Sequence, residues 1–177
     1  QSREARDVLE SVRSCVHAIA SAQRRVRLSG TNDLVEVNQF LDSLIQDLRS
    51  ALGGNDRVTI TLKTQEVVAP SHDAVSMGVI VTEAINNAIK YAGKDEGAIS
   101  IQVTLEGDGN KKPLRVTVED DGAGFDEASD QAGFGSQITE ALSTSLRARL
   151  SRSYVRPVGP RRGTRIQLDF SSDALAA

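Results

Sequence analysis

The sequence predicts an α+β chain: a two-layer α/β sandwich, one mixed and mostly antiparallel sheet with helices on one face, preceded by a helical-hairpin remnant. Three observations predict it. Residues 2–50 contain no proline and repeat apolar side chains at steps of three and four. Beyond residue 54, five segments alternate apolar and polar side chains with period two. Helix-period segments separate some of those strands, and no stretch repeats another.

The first helix carries Ala5, Val8, Val12, Cys15, Ile19, Ala22 and Val26 as an a/d seam, the pattern of a helix packed along another. Its opposite face is charged through Arg6, Glu10, Arg13 and Arg24. "SGTND" (29–33) is a turn. A second helix follows with the stripe Leu34, Val37, Leu41, Leu44, Ile45 and Leu48, and "GGND" ends it. "RVTITLK" (57–63) is a strand and "EVVA" a short one. A long helix spans about 73–91. "AISIQVTLE" and "LRVTVED" form a hairpin across "GDGNKKP". A Gly-rich acidic loop, "DGAGFDEASDQAGFG", leads to a helix at about 136–147. "RLSRSYV" and "TRIQLDF" are the last strands. The expected domains are a helical dimerisation or phosphotransfer-type region at 1–52 and an α/β domain at 53–177.

Composition bounds the function. Of 177 residues, 39% are apolar but only 3% aromatic, so the core must be aliphatic. A net charge of −3 argues against a nucleic-acid binder. No run reaches the roughly 18 apolar residues of a membrane span, so no membrane contact is expected and a cytoplasmic location is. Cys15 is alone and only two histidines occur, which excludes an internal disulfide and argues against a zinc site. The chain starts at Gln1, without Met, and reads as a piece of a longer protein.

Chemistry gathers in four places. In the 73–91 helix, Met77, Val81, Ala84, Ile85, Ala88 and Ala92 form an apolar face, while Glu83, Asn87 and Lys90 share a stripe at i, i+4 and i+7. A polar stripe can simply be the solvated face of a helix. On a helix apolar on nearly every side it faces a ligand or partner, and a carboxylate, an amide oxygen and an ammonium in one row suit a Mg²⁺-nucleotide. In "LRVTVEDDGAG", Leu114, Val116 and Val118 point inward, and the next residue of that parity is Asp120. That carboxylate either caps the following turn or meets a donor such as an adenine amine. Gly122 and Gly124 follow. Gly133 and Gly135 precede a helix N-terminus, a set of N–H groups suited to anions, or else an ordinary flexible helix start. Thr164 shares parity with Ile166, Leu168 and Phe170, so its hydroxyl faces inward.

In order and spacing, the four resemble the Bergerat ATP-binding fold of gyrase-type ATPases, Hsp90-like chaperones, histidine kinases and anti-sigma serine kinases. E-x-x-x-N is followed by D-x-G-x-G, then G-x-G, then G-T, and the resemblance covers about residues 55–170. It implies ATP and Mg²⁺ as ligands. It implies that Asn87 binds the metal, Glu83 acts as base or polarises the nucleophile, and Lys90 contacts phosphate. Asp120 would read the adenine amine with the support of Thr164. Gly122 and Gly124 would shape the base pocket, and Gly133 and Gly135 would lie beside the phosphates. Asn86 has no role by this mapping.

"VSMGVIVTEAINNAIKYA" is similar to the corresponding region of histidine kinases related to the HWE subgroup. "CVHAIASAQ" (15–23) resembles part of the second hairpin helix there, with Cys15 and Gln23 at the usual Arg and His positions. Thr82 stands where that subgroup has a His, and no Trp is present, which marks a relative rather than a member. No phosphoacceptor box is found, and His17 and His72 read as surface or boundary residues. The resemblance therefore implies the catalytic part of a sensor histidine kinase, with the acceptor His upstream, a response regulator as partner and homodimerisation through the N-terminal helices. Two alternatives are an anti-sigma-factor-type serine kinase and a phosphotransfer or dimer scaffold with a degenerate ATP domain.

Overall fold

The structure is a computed structural model that describes residues 16, 20, 34–53, 56–92, 97–107, 113–125 and 134–170. The seam of the first predicted helix, with Cys15 and His17, the 29–33 turn, and Gly133 lie outside the described residues.

The first elements are strand β1 (Leu34–Glu36) and helix α1 (Val37–Ala51). Leu34 thus opens a strand rather than the predicted helix. It is 45% exposed, and β1 pairs antiparallel with the short strand β3 (Val68–Pro70). This pairing lets the Val67 carbonyl accept the Val37 N–H at 2.8 Å, meeting one of the orphan donors at the α1 N-terminus. The apolar stripe of α1 behaves as its spacing predicts. Val37, Phe40, Leu41, Leu44 and Ile45 are all buried, in the same core as the sheet.

The main sheet has five strands in the order β2 (Val58–Thr64), β4 (Ile99–Glu106), β5 (Arg115–Asp120), β7 (Thr164–Phe170), β6 (Ala148–Tyr154). β2 and β4 are parallel, and the other neighbours are antiparallel. A parallel pair cannot be joined by a hairpin. Its crossover carries β3 and the long helix α2 (Ser71–Ala92). Helix α3 (Phe134–Ser145) joins the β5 and β6 regions of the chain.

One face of the sheet is covered. Ile99, Ile101, Val103 and Leu105 of β4 and Val116 and Val118 of β5 alternate inward and are buried. Each buried aliphatic side chain of this kind contributes roughly 1.5–3 kcal/mol. Against them lies α2, whose Met77, Val81, Ile85 and Ala88 are buried as predicted. Gly78, in its middle, costs helix propensity but lets α1 approach. A Cβ there would stand 2.7 Å from the Phe40 ring, itself 2% exposed. No helix among the described residues is long and apolar enough to cross a membrane.

Candidate functional site

Strand parity sets the first part of the site. Asp120 ends β5 pointing inward and is 8% exposed. Its Oδ1 accepts the Gly122 N–H at 2.9 Å, and the carboxylate also accepts from the backbone N–H and hydroxyl of Thr164. The turn-capping and ligand-facing readings are therefore compatible. Three donors are in place, and a carboxylate offers about four lone-pair positions. Burial nevertheless raises the Asp120 carboxyl above its ordinary value, against the lowering effect of those hydrogen bonds.

The backbone around Asp120 is pinned from the last strands. The Gly163 N–H donates to the Gly122 carbonyl at 2.9 Å. Gly163 has φ +64°, and a Cβ there would overlap the Asp120 carbonyl oxygen. Arg161 donates to the Asp121 and Ala98 carbonyls at 2.8 and 2.9 Å, tying the β6–β7 loop to the starts and ends of its neighbours. Gly124, with φ +94°, lies against the Tyr154 ring. Phe125 and Tyr154 are stacked with centroids 4.2 Å apart and planes 5° from parallel, and the Tyr154 hydroxyl donates to the Phe125 carbonyl at 2.9 Å. The Arg162 guanidinium lies 3.2 Å from the Tyr154 centroid and that of Arg152 4.3 Å from the Phe125 centroid. Rings this close admit nothing between them, so the two cations cap the outer faces. Arg162 Nε is buried without a hydrogen-bond partner, and the ring face is what meets its charge.

The second part is a cavity of about 570 Å³ between α2, α3 and the β6–β7 edge, within the size range of small-molecule sites. Glu83 and Asn87 line it from α2, Ser136, Thr139 and Glu140 from α3, and Arg152 and Ile166 from the sheet. Ile166 is two residues along β7 from Thr164, so the cavity adjoins the Asp120 cluster. The Asn87 amide donates to Glu83 Oε1 at 3.4 Å, a bond that does not use its Oδ1. Gly135 sits buried under this pair. A Cβ on it would overlap Glu83 Oε1 and come within 2.6 Å of Cδ. The first turn of α3, the positive end of its dipole, is thus set against the Glu83 carboxylate.

The structure brings together Glu83, Asn87 and Gly135 in one group and Asp120, Gly122, Thr164 and the Gly124 turn in an adjoining one. Gly135 is the second residue of α3 rather than a residue preceding it, since the helix starts at Phe134. Lys90 does not line the cavity, and its Nζ lies 5.3 Å from the Tyr91 centroid. Asn86 is half-buried, and His72 is exposed beside Asp73, with its side chain 72% accessible. Arg152, Ser136, Thr139 and the Phe125–Tyr154 stack were not predicted. For Arg152 part of the signal was present: it shares strand parity with Leu150 and Tyr154, and its exposed side chain lines the cavity. No cluster of three or more His, Cys, Asp or Glu able to hold a metal occurs among the described residues.

The profile of the histidine kinase-, DNA gyrase B-, and HSP90-like ATPase family matches residues 72–173. The chain belongs to this family. All the site residues above fall within that span of the histidine kinase-, gyrase- and HSP90-like ATPase. It is 27% identical over 124 residues to blue-light-activated histidine kinase 2 of Erythrobacter litoralis, across 68% of this chain and 35% of the relative. The chain thus spans about a third of the length of the curated relative it matches. Among solved structures, the histidine kinase domain of an Erythrobacter litoralis blue-light-activated histidine kinase superposes with a TM-score of 0.78 at 24% identity, covering 94% of this chain and 78% of that one. The Acinetobacter baumannii histidine kinase AdeS gives a TM-score of 0.61 at 14% identity, covering 93% and 77%. These similarities establish the fold of the ATPase.

Proposed function

We propose that this chain is the ATP-binding catalytic part of a sensor histidine kinase, which transfers the γ-phosphoryl group of ATP to a histidine on a helix outside the described residues. The observation that carries the reading is the adjoining pair of clusters. Glu83 and Asn87 line the wall of a nucleotide-sized cavity, and Asp120, backed by Thr164, stands at its border with one acceptor position to spare.

In this reading Asp120 accepts the adenine amine, and Gly122 and Gly124 give the base close access to backbone. Asn87 is the metal ligand, and Lys90, one turn further along α2 and outside the cavity wall, is assigned to the phosphates by its place in the stripe. Gly133 and Gly135 belong beside the phosphates. Mg²⁺, when bound, neutralises charge across the transferring phosphates. The imidazole nitrogen attacks the γ-phosphorus, the bond to the bridging oxygen breaks, and ADP leaves. Glu83 accepts the proton from the other ring nitrogen. Most of the rate comes from positioning and charge neutralisation. The phosphohistidine then serves a response regulator. Homodimerisation through the segment before Leu34 and a cytoplasmic location complete the proposal.

The test uses the full-length kinase. Asn87→Asp and Asp120→Asn are each expected to abolish ATP-dependent autophosphorylation, measured with γ-labelled ATP. Full activity in either variant would sink the assignment.

A further inference from the structure

We propose that Arg152 is a phosphate-binding residue of the nucleotide site, entering it from the edge strand opposite Asn87. The inference rests on the nucleotide reading above and adds a residue that the sequence motifs do not contain.

Charge balance is the first argument. Among the described residues lining the cavity, Glu83 and Glu140 are acidic and Arg152 alone is basic. A triphosphate brings several negative charges into this space. A wall holding two carboxylates and no cation would repel it. Lys90, assigned to phosphate by its place in the helix stripe, does not form part of that wall. Arg152 is the side chain positioned to supply the missing charge.

Register is the second argument. Tyr154 pairs with Thr164, Arg152 with Ile166 and Leu150 with Leu168. On the other side of β7, Ile166 pairs with Val118 and Leu168 with Val116. The inward rows therefore read Asp120, Thr164, Tyr154, then Val118, Ile166, Arg152, then Val116, Leu168, Leu150. Arg152 ends a row whose other members are apolar. Arg152 is itself exposed, so it enters the cavity from the solvent side of that row. It lies one row from the carboxylate assigned to the base.

Pre-organisation is the third. The Arg152 guanidinium stacks on Phe125, which is fixed by face-to-face contact with Tyr154 and by the Tyr154 hydroxyl. Stacking engages the face of the guanidinium and not its in-plane N–H groups. That is the presentation in which arginine meets phosphate oxygens through paired, charge-assisted hydrogen bonds. The competing explanation is that Arg152 merely covers the Phe125 ring.

The two explanations differ in their dependence on phosphate. Binding of ATP, ADP and adenosine is measured by competition calorimetry in the presence of Mg²⁺ for the parent chain, Arg152→Gln and Arg152→Lys. Arg152→Gln is expected to weaken ATP about tenfold, ADP less, and adenosine by under about twofold. Arg152→Lys is expected to recover part of the ATP loss, because it keeps the charge and loses the fork. Adenosine affinity also reports whether the pocket is still folded. Equal weakening of all three ligands assigns Arg152 to holding Phe125 and overturns the inference, as does unchanged ATP affinity in Arg152→Gln. A parent chain that binds none of the three refutes the nucleotide reading itself, a result distinct from the other two.

Discussion

Gly135 and Glu83 are in direct contact across the site: the first turn of α3 lies so close to the Glu83 carboxylate that no side chain fits between them. The contact couples the anion-binding end of one helix to the acid on another. Any Cβ at Gly135 must push Glu83 out of its position beside Asn87.

Gly135→Ala separates stability from activity. The atoms it meets are the far end of a flexible side chain, which can rotate away at low cost. The expected stability change is below about 1 kcal/mol. The expected loss of autophosphorylation exceeds about tenfold, because small misplacements of reacting groups are expensive. Thermal melting and initial-rate measurements check this. A variant with parental rate would show that the Glu83 position is unimportant.

Gly78→Ala should do the opposite. The clash here is with Phe40, 2% exposed and held on all sides, so the ring cannot swing out. Overpacking costs about 1–3 kcal/mol, and the gain in helix propensity offsets about 1 kcal/mol of it. A net loss of up to roughly 2 kcal/mol is expected in denaturant titration. Adding Phe40→Leu should restore part of it. No coupling between the two substitutions would contradict the packing account.

Asp120→Asn should change how stability depends on pH. Burial raises the Asp120 carboxyl despite hydrogen bonds from Gly122 and Thr164. The folded chain thus holds this proton more tightly than the unfolded chain. The associated stability is complete below the unfolded carboxylate range and is lost as pH rises through the raised value. The asparagine variant has no such loss. Its stability relative to the parent is therefore expected to increase from about pH 4 to pH 7. A difference that stays flat across that range would refute the assignment.

Gly163→Ala is expected to damage fold and site together. The residue adopts a left-handed conformation, which costs an L-residue about 1–2 kcal/mol. The obstacle to its Cβ is the backbone carbonyl of Asp120, so relief moves the residue assigned to the base. Melting temperature and ATP affinity should fall together. Lowered stability with parental ATP affinity would dissociate this turn from the pocket.

Local patterns made much of this legible. Strand parity placed Asp120 and Thr164 on the covered face, because alternation is a property of the strand itself. Helix spacing put Glu83 and Asn87 on one stripe for the same reason. What escaped is non-local. That β2 lies parallel to β4 depends on a crossover that no single segment displays. The contacts of Gly135 with Glu83 and of Gly78 with Phe40 join elements 52 and 38 residues apart in sequence. Strand parity set Arg152 beside Leu150 and Tyr154, but its place beside Ile166 and Phe125 came only with the register of β6 against β7 and the fold of the preceding loop. Leu34 fitted the helix stripe by spacing, and pairing with Pro70 drew it into a strand.

The parallel pairing of β2 with β4 has a further consequence. The chain between them is the crossover that includes α2, so the helix bearing Glu83 and Asn87 is itself the tether of that strand pair. Freeing it means separating the two strands and opening the core beneath. Its amide protons should exchange with solvent only through opening of the whole domain, while those of the edge strand β6 exchange through smaller, more frequent excursions. The residues assigned to the metal and the proton are thus expected among the most slowly exchanging of the described residues. The backbone of Arg152, on the edge strand, is expected among the faster ones.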